Sequence, residues 1–324
     1  MTTSSLESTT DPTRSDPAPA ITVSALTKRF GRRVAVDSAS FTVPAGSVTG
    51  LVGPNGAGKT TLLAILLGLV RPTSGEATVR GASIDDPASY VSEVGALIET
   101  PAFHPAVSAR TNLRSLAALT PGAAITDSDI EDLLSLVGLN DRGGDRVGSY
   151  SLGMKQRLGI AAALLGDPSV VLLDEPTNGL DPVGMQEVRE IIGAVAARGC
   201  TVLVSSHLLS ELEQVCDWLV VLRRGGLLYQ GPLADLTVGD AILQIAPADP
   251  ADIDRLATAA AEFGRPVTNR ADALDIAVDD DGDAEGFAAE ISRAAYRSGI
   301  VLRELHLERP DLHRRYLDLV GDPA

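Results

Sequence analysis

Hydrophobic positions follow two spacings along this chain. From Ala20 to Val43 apolar and polar residues alternate, in Ile21-Thr22-Val23, Arg33-Val34-Ala35-Val36 and Ala39-Ser40-Phe41-Thr42-Val43. A period of two predicts antiparallel strands with one face on a core. Continuous apolar runs follow at Val48–Val52, Val94–Ile98, Val170–Leu173 and Thr201–Val204. Short runs of that kind predict strands of a parallel sheet buried on both faces. Gly75–Val79 predicts a further strand, and Leu219–Leu222 with Gly226–Tyr229 a terminal hairpin. From Ser108 to Tyr150 the spacing turns helical. Ser108 fits an N-cap, and a second helix starts at Thr126 or Asp127, runs through Ile130, Leu133, Leu134 and Val137, and stops at Gly138. An Ala/Leu-rich helix opens behind Ser151, a natural N-cap, and ends near Gly166-Asp167-Pro168. Met185–Ala197 predicts an amphipathic helix.

The pattern changes after Gly231-Pro232. Strands are predicted at Ala241–Ile245, Val267–Val278 and Ile300–Leu307, and helices at Ile253–Phe263, Ala284–Arg297 and Pro310–Leu319. That order predicts a small α+β appendage over 232–324, behind a main domain over 21–231. A chain of 324 residues is long enough for both. Residues 1–20, rich in Ser, Thr, Pro and Asp, have no apolar stretch of the signal-peptide kind and predict a disordered tail.

Composition narrows the partners. Hydrophobic residues make up 44% but aromatics only 3%, so the core is built from Ala, Val, Leu and Ile. A net charge of −16 argues against nucleic acid as a partner, which calls for a basic face. No run reaches the roughly 18 apolar residues of a membrane helix, so work at a membrane needs another chain to span it. Cys200 and Cys216 sit among apolar residues and read as reduced core thiols. Asp279-Asp280-Asp281-Gly282-Asp283 lacks the spacing and the closing Glu of an EF-hand and reads as a solvated turn.

The candidate chemistry centres on Gly53-Pro54-Asn55-Gly56-Ala57-Gly58-Lys59-Thr60, which fits G-x-x-x-x-G-K-[ST] and lies between a predicted strand and a predicted helix that continues through Thr61. Glycines there turn backbone N–H groups toward one point, and the helix N-terminus adds positive potential. Lys59 reaches β- and γ-phosphates, and the Thr60 hydroxyl suits Mg²⁺. Asp174 and Glu175 follow the buried run at 170–173, at the strand end where α/β sheets bind ligands. Asp174 suits Mg²⁺, and Glu175 suits the orientation or deprotonation of an attacking water. His207 ends the next buried strand; it is either structural or a polar contact to the γ-phosphate. Phe30, on a predicted turn, either stacks on an adenine ring or simply packs.

Taken together these motifs resemble the ATP-binding subunit of an ABC transporter. Ser151-Leu152-Gly153-Met154 resembles the family signature LSGGQ, Asn178-Gly179-Leu180-Asp181 its D-loop, His207 its switch histidine, and Phe30 its adenine-stacking aromatic. The resemblance spans about residues 21–231. It implies an α/β P-loop NTPase of the ABC type, with an antiparallel β subdomain and a helical subdomain at about 105–165. It also implies ATP and Mg²⁺, with Asp181 at the nucleotide. Two subunits close head to tail, so that Ser151 and Gly153 of one meet the γ-phosphate held by the other. The motion passes to a separate integral membrane permease, which places the subunit on the cytoplasmic face of the membrane.

Two departures stand out. Leu152 and Met154 replace the Gly and Gln common in the signature. Glu99 stands where the family usually has a Gln that binds Mg²⁺, and a carboxylate there, within Gly95–Phe103, resembles the subgroup that exports bacitracin, lantibiotics and other drugs. The alternative is a soluble ABC-type ATPase acting on DNA or ribosomes; a single module, no Cys cluster and the acidic balance speak against it. A catalytically silent module is disfavoured by the retention of Lys59, Asp174, Glu175 and His207.

Overall fold

Strands β1 (Ile21–Phe30) and β2 (Arg33–Val43) form a long antiparallel hairpin, with Phe30 paired to Arg33 across its turn. The sequence divides this region into three shorter strands because the alternation breaks twice. Those breaks are register shifts within the two continuous strands, with Ala25 and Ser38 in left-handed backbone. Phe30 therefore ends a strand rather than occupying a loop. The computed structural model describes residues 18–99, 102–120, 124–237, 241–270, 272–278, 284–308 and Tyr316. The disordered tail expected over residues 1–20 lies outside that set as far as residue 17, whereas Ala20 is buried with its N–H donating to Val43 O at 2.8 Å.

Next come β3 (Val48–Val52) and α1 (Lys59–Leu66), then β4 (Ser74–Val79), β5 (Ala82–Ser83) and β6 (Val94–Leu97). The helical region holds α2 (Ala109–Ala117), α3 (Asp127–Leu136) and α4 (Leu152–Ala163). It is followed by β7 (Val170–Asp174), α5 (Pro182–Ala197), β8 (Thr201–Ser206), α6 (Leu209–Leu212), β9 (Trp218–Arg223) and β10 (Gly226–Pro232). Two sheets result. One is antiparallel, in the order β2-β1-β4-β5; the other runs β10-β9-β3-β8-β7-β6, with β9, β3, β8, β7 and β6 mutually parallel. Every residue of β3, β7 and β8 is buried, as continuous apolar runs require. Leu62, Leu63, Ile65 and Leu66 of α1 fill the space between the two sheets with Ile21, Phe41 and Tyr90. The strand ends that carry Val52, Asp174 and Ser206 share one edge of the parallel sheet.

Capping chemistry sets the helical region. Ser108 Oγ accepts from Thr111 N at 3.1 Å, and Thr126 and Asp129 form a reciprocal capping box that holds the Asp129 carboxyl below its usual range. Arg110 pairs with Glu131 and Arg114 with Asp127, tying α2 to α3. Arg157 of α4 donates to Val137 O at 3.0 Å, and Tyr150 Oη donates to Arg142 O at 2.7 Å. The start of α4 is thus fixed against the end of α3 and the loop that follows it.

The described residues divide into two compact units at Gln230/Gly231. The second opens with α7 (Leu233–Thr237) and holds β11 (Ala241–Pro247), α8 (Ile253–Ala261), β12 (Val267–Asn269), β13 (Leu274–Val278), α9 (Ala284–Arg297) and β14 (Leu302–Glu308). Its antiparallel sheet runs β12-β13-β11-β14, a β-α-β-β-α-β unit whose core joins Leu243, Ile245 and Ile276 to Leu256 of α8 and Ile291 of α9. The single strand expected over Val267–Val278 is a hairpin, closed where Arg270 N donates to Ala273 O at 2.8 Å. The helix expected at Pro310–Leu319 and the turn at Asp279–Asp283 lie outside the described residues, Tyr316 apart. Cys200 and Cys216 are free and buried; burial pushes the Cys200 thiol up to about 11 and Cys216 up as well. Among the described residues no helix is long and apolar enough to cross a membrane.

Candidate nucleotide-binding site

The loop between β3 and α1 is pinned from two sides. A Cβ on Gly58, at φ 107°, would lie 2.3 Å from Ala35 O in β2. One on Gly53 would lie 2.4 Å from Leu222 O in β9. No side chain fits at either place. The β9–β10 turn adds a third tie: Gly225 N donates to Ala57 O at 3.0 Å, and Asp37 N donates to Gly225 O at 2.8 Å. Helix α1 begins at Gly58 without a side-chain cap, so the positive end of its dipole faces outward.

Charged groups converge on this helix start. Lys59 is buried; its Nζ donates to Gly53 O at 2.7 Å and lies 3.1 Å from Glu175 Oε1. The other oxygen, Glu175 Oε2, is 2.7 Å from His207 Nδ1. A continuous chain Lys59–Glu175–His207 therefore joins α1, the end of β7 and the end of β8. Glu175 sits in left-handed backbone at φ 46°, and its N–H donates to Ser205 Oγ at 3.0 Å. Such a conformation costs about 1–3 kcal/mol for a non-glycine residue and recurs where a functional side chain must be aimed.

Beside that chain runs a network of hydroxyls. Thr60 Oγ1 donates to Asp174 Oδ2 at 2.6 Å, and Ser205 Oγ donates to Asp174 Oδ1 at 2.5 Å. Asp174 is buried, so both oxygens of its carboxylate are held in fixed directions. A cleft of about 500 Å³ opens over the helix start, lined by residues 55–61 with Glu175, His207, Asn178, Phe30 and Arg33. Phe30 is half exposed at the hairpin end, with Lys28 Nζ 4.8 Å from its ring centroid.

The other residues singled out by sequence lie elsewhere. Ser151 caps α4, its Oγ accepting from Met154 N at 3.2 Å, and Gly153 follows in the first turn. Asp181 caps α5 through Gly184 N at 2.8 Å. Glu99 is exposed just past β6, the strand beside β7, in left-handed backbone at φ 60°. None of these four lines the cleft. Of the D-loop motif, Asn178 lines the cleft, and sequence reading passes over Arg33, Ser205 and Glu211. The signal for Ser205 was the Ser205-Ser206 pair closing a buried strand, where a hydroxyl needs a partner. Arg33 is brought to the cleft by the hairpin alone, and no local pattern marks it.

Comparison with known proteins agrees with this geometry. Residues 36–178 match the family described as ABC transporter. The bacitracin transport ATP-binding protein BcrA of Bacillus licheniformis is 41% identical over 213 residues, 65% of this chain and 69% of that one. The lantibiotic transport ATP-binding protein SrtF of Streptococcus pyogenes is 40% identical over 208 residues, 64% of this chain and 86% of that one. The chain belongs to the ABC transporter ATP-binding proteins.

A solved structure of an ATP-binding subunit of an ABC transporter covers 67% of this chain and 91% of its own, with a TM-score of 0.60 and 30% identity. A bacterial Atm1-family ABC exporter with ATP bound matches at TM-score 0.59 and 28% identity, over 67% of this chain and 39% of its own. As an ABC ATP-binding subunit the chain is a P-loop NTPase that binds and hydrolyses ATP. The uncapped start of α1 with Lys59 beside it is an arrangement suited to an anion such as a triphosphate.

Proposed function

We propose that this ABC subunit drives an exporter of drugs or antimicrobial peptides, working as a pair with a second copy and with a separately encoded integral membrane permease, on the cytoplasmic face of the membrane. Relatives named for bacitracin and lantibiotic transport, and Glu99 in place of the family's usual Gln, support the export reading. The observation that carries the catalytic reading is the chain Lys59–Glu175–His207. In it Glu175 accepts the proton of the attacking water, and His207, bonded to Glu175, holds that carboxylate in place and faces the γ-phosphate.

The donor set fits Mg²⁺. Thr60 Oγ1 and the Asp174 carboxylate are hard oxygen ligands in one network, and Mg²⁺ commonly takes one or two carboxylates plus substrate phosphates. Thr60 and Asp174, with Glu99 as a third ligand from the neighbouring strand end, would hold the ion. When bound, it supplies charge neutralisation on the β- and γ-phosphates. Phe30 stacks on the adenine, and residues 53–61 cradle the phosphates. Ser151 and Gly153 come to the nucleotide from the second copy, and Asp181 of the D-loop lies at the nucleotide.

The test is Glu175→Gln, which keeps the shape but removes the base. Hydrolysis should fall at least a hundredfold while ATP-bound dimers accumulate on size exclusion. Unchanged turnover would sink the role of Glu175. Loss of the chain and its permease from the cell should raise sensitivity to cationic antimicrobial peptides; equal sensitivity would sink the export reading.

A further inference from the structure

Glu211 is a buried carboxylate that takes no part in the network around Lys59. It lies on α6, four residues beyond His207. One of its oxygens, Oε2, accepts two hydroxyl hydrogens: Thr177 Oγ1 donates at 2.5 Å and Ser206 Oγ at 3.1 Å. The direction is fixed at Ser206, whose Oγ already accepts from Leu208 N at 3.0 Å. Thr177 lies two residues past Glu175, in the turn that leads through Asn178 to Asp181. Ser206 immediately precedes His207.

We infer that Glu211 is a positioning residue for hydrolysis, a bracket that holds the loop of Glu175 against the loop of His207. The inference rests on the ATPase reading of the site. Successive residues of a strand face opposite sides. Ser205 therefore serves one face, bonding Asp174 and the Glu175 N–H, while Ser206 serves the other, bonding Glu211. The two catalytic loops are clamped from both sides of the sheet edge. The Ser205 clamp reaches Thr60 through Asp174 and so belongs to nucleotide binding. The Glu211 clamp bonds Thr177 and Ser206 and reaches no phosphate-loop residue, so it acts on the chemical step and leaves ATP affinity alone. It also ties the 178–181 turn to His207, so a displacement of that turn reaches the histidine through Thr177, Glu211 and Ser206.

The experiment measures steady-state ATP hydrolysis and ATP binding on the full chain. With the shared acceptor gone the two loops lose their tie, so Glu211→Ala should lower kcat about tenfold, about 1.4 kcal/mol in barrier, with KM for ATP within twofold. Thr177→Val keeps the side-chain shape and should show the same split with less risk to folding. Glu211→Gln retains an oxygen that accepts both hydroxyls and should keep at least half of wild-type kcat. Adding Thr177→Val to Glu211→Ala should cost less than a further twofold, because the shared acceptor is already gone. The proposal is overturned if folded Glu211→Ala or Thr177→Val keeps kcat within twofold. It is also overturned if KM rises in step with the loss, or if Gln does no better than Ala. A wild-type chain that binds ATP without hydrolysing it would instead defeat the ATPase reading, a separate outcome.

Discussion

Two helices of this subunit present their N-termini to solvent, and they do so in opposite ways. Helix α1 starts at Gly58 with no side-chain cap, over a buried Lys59 and the carboxylates of Glu175 and Asp174. Helix α4 starts at Ser151, whose Oγ already satisfies Met154 N, and Ser151, Leu152 and Gly153 carry no charge. The first is an open set of backbone donors suited to an anion. The second is a closed cap whose hydroxyl accepts from the backbone and keeps its own proton to donate outward. The same backbone dipole therefore suits the two tasks proposed for it: α1 to grip the triphosphate, and α4 to offer one hydrogen bond to a phosphate held by the second copy.

The largest effect expected from breaking this contrast is at Lys59. Lys59→Ala removes the cation at the uncapped end and leaves Glu175 without it; ATP affinity should fall at least tenfold in a fluorescent-nucleotide titration. Retained affinity would mean that the backbone of α1 suffices. Ser151→Ala comes next. It should leave ATP binding to the single chain unchanged but lower hydrolysis several-fold at concentrations where copies pair, and loss of the cap should cost about 1 kcal/mol locally. If ATP affinity of the isolated chain dropped as well, α4 would belong to the same half-site as α1. Glu99→Gln is the smallest. Hydrolysis by the purified chain should stay within twofold while transport with the permease changes; equal transport by both forms would show the carboxylate to be without special effect.

The phosphate loop was legible because chemistry and geometry are written in the same eight residues, Gly53 to Thr60. Asp174, Glu175 and His207 were legible because each follows a run of buried apolar residues, and a parallel sheet aligns such strand ends. Glu211 was not. Its function depends on a fold that returns α6 beneath the β7 turn, and a Glu in a Leu-Ser-Glu-Leu helix reads as surface. The β-α-β-β-α-β unit was nearly legible; a turn around Arg270 without a Gly-Asn signal hid one strand boundary. The bulges at Ala25 and Ser38 likewise erased the alternation that would have shown β1 and β2 at full length.

Gly225 carries one further consequence. Its N–H holds Ala57 and its carbonyl holds Asp37, and from it strand β10 runs straight on to Gly231, where the second unit begins. One residue's backbone thus joins the phosphate loop to the β1–β2 hairpin, so a shift of the β9–β10 turn would carry both of those walls of the cleft with it.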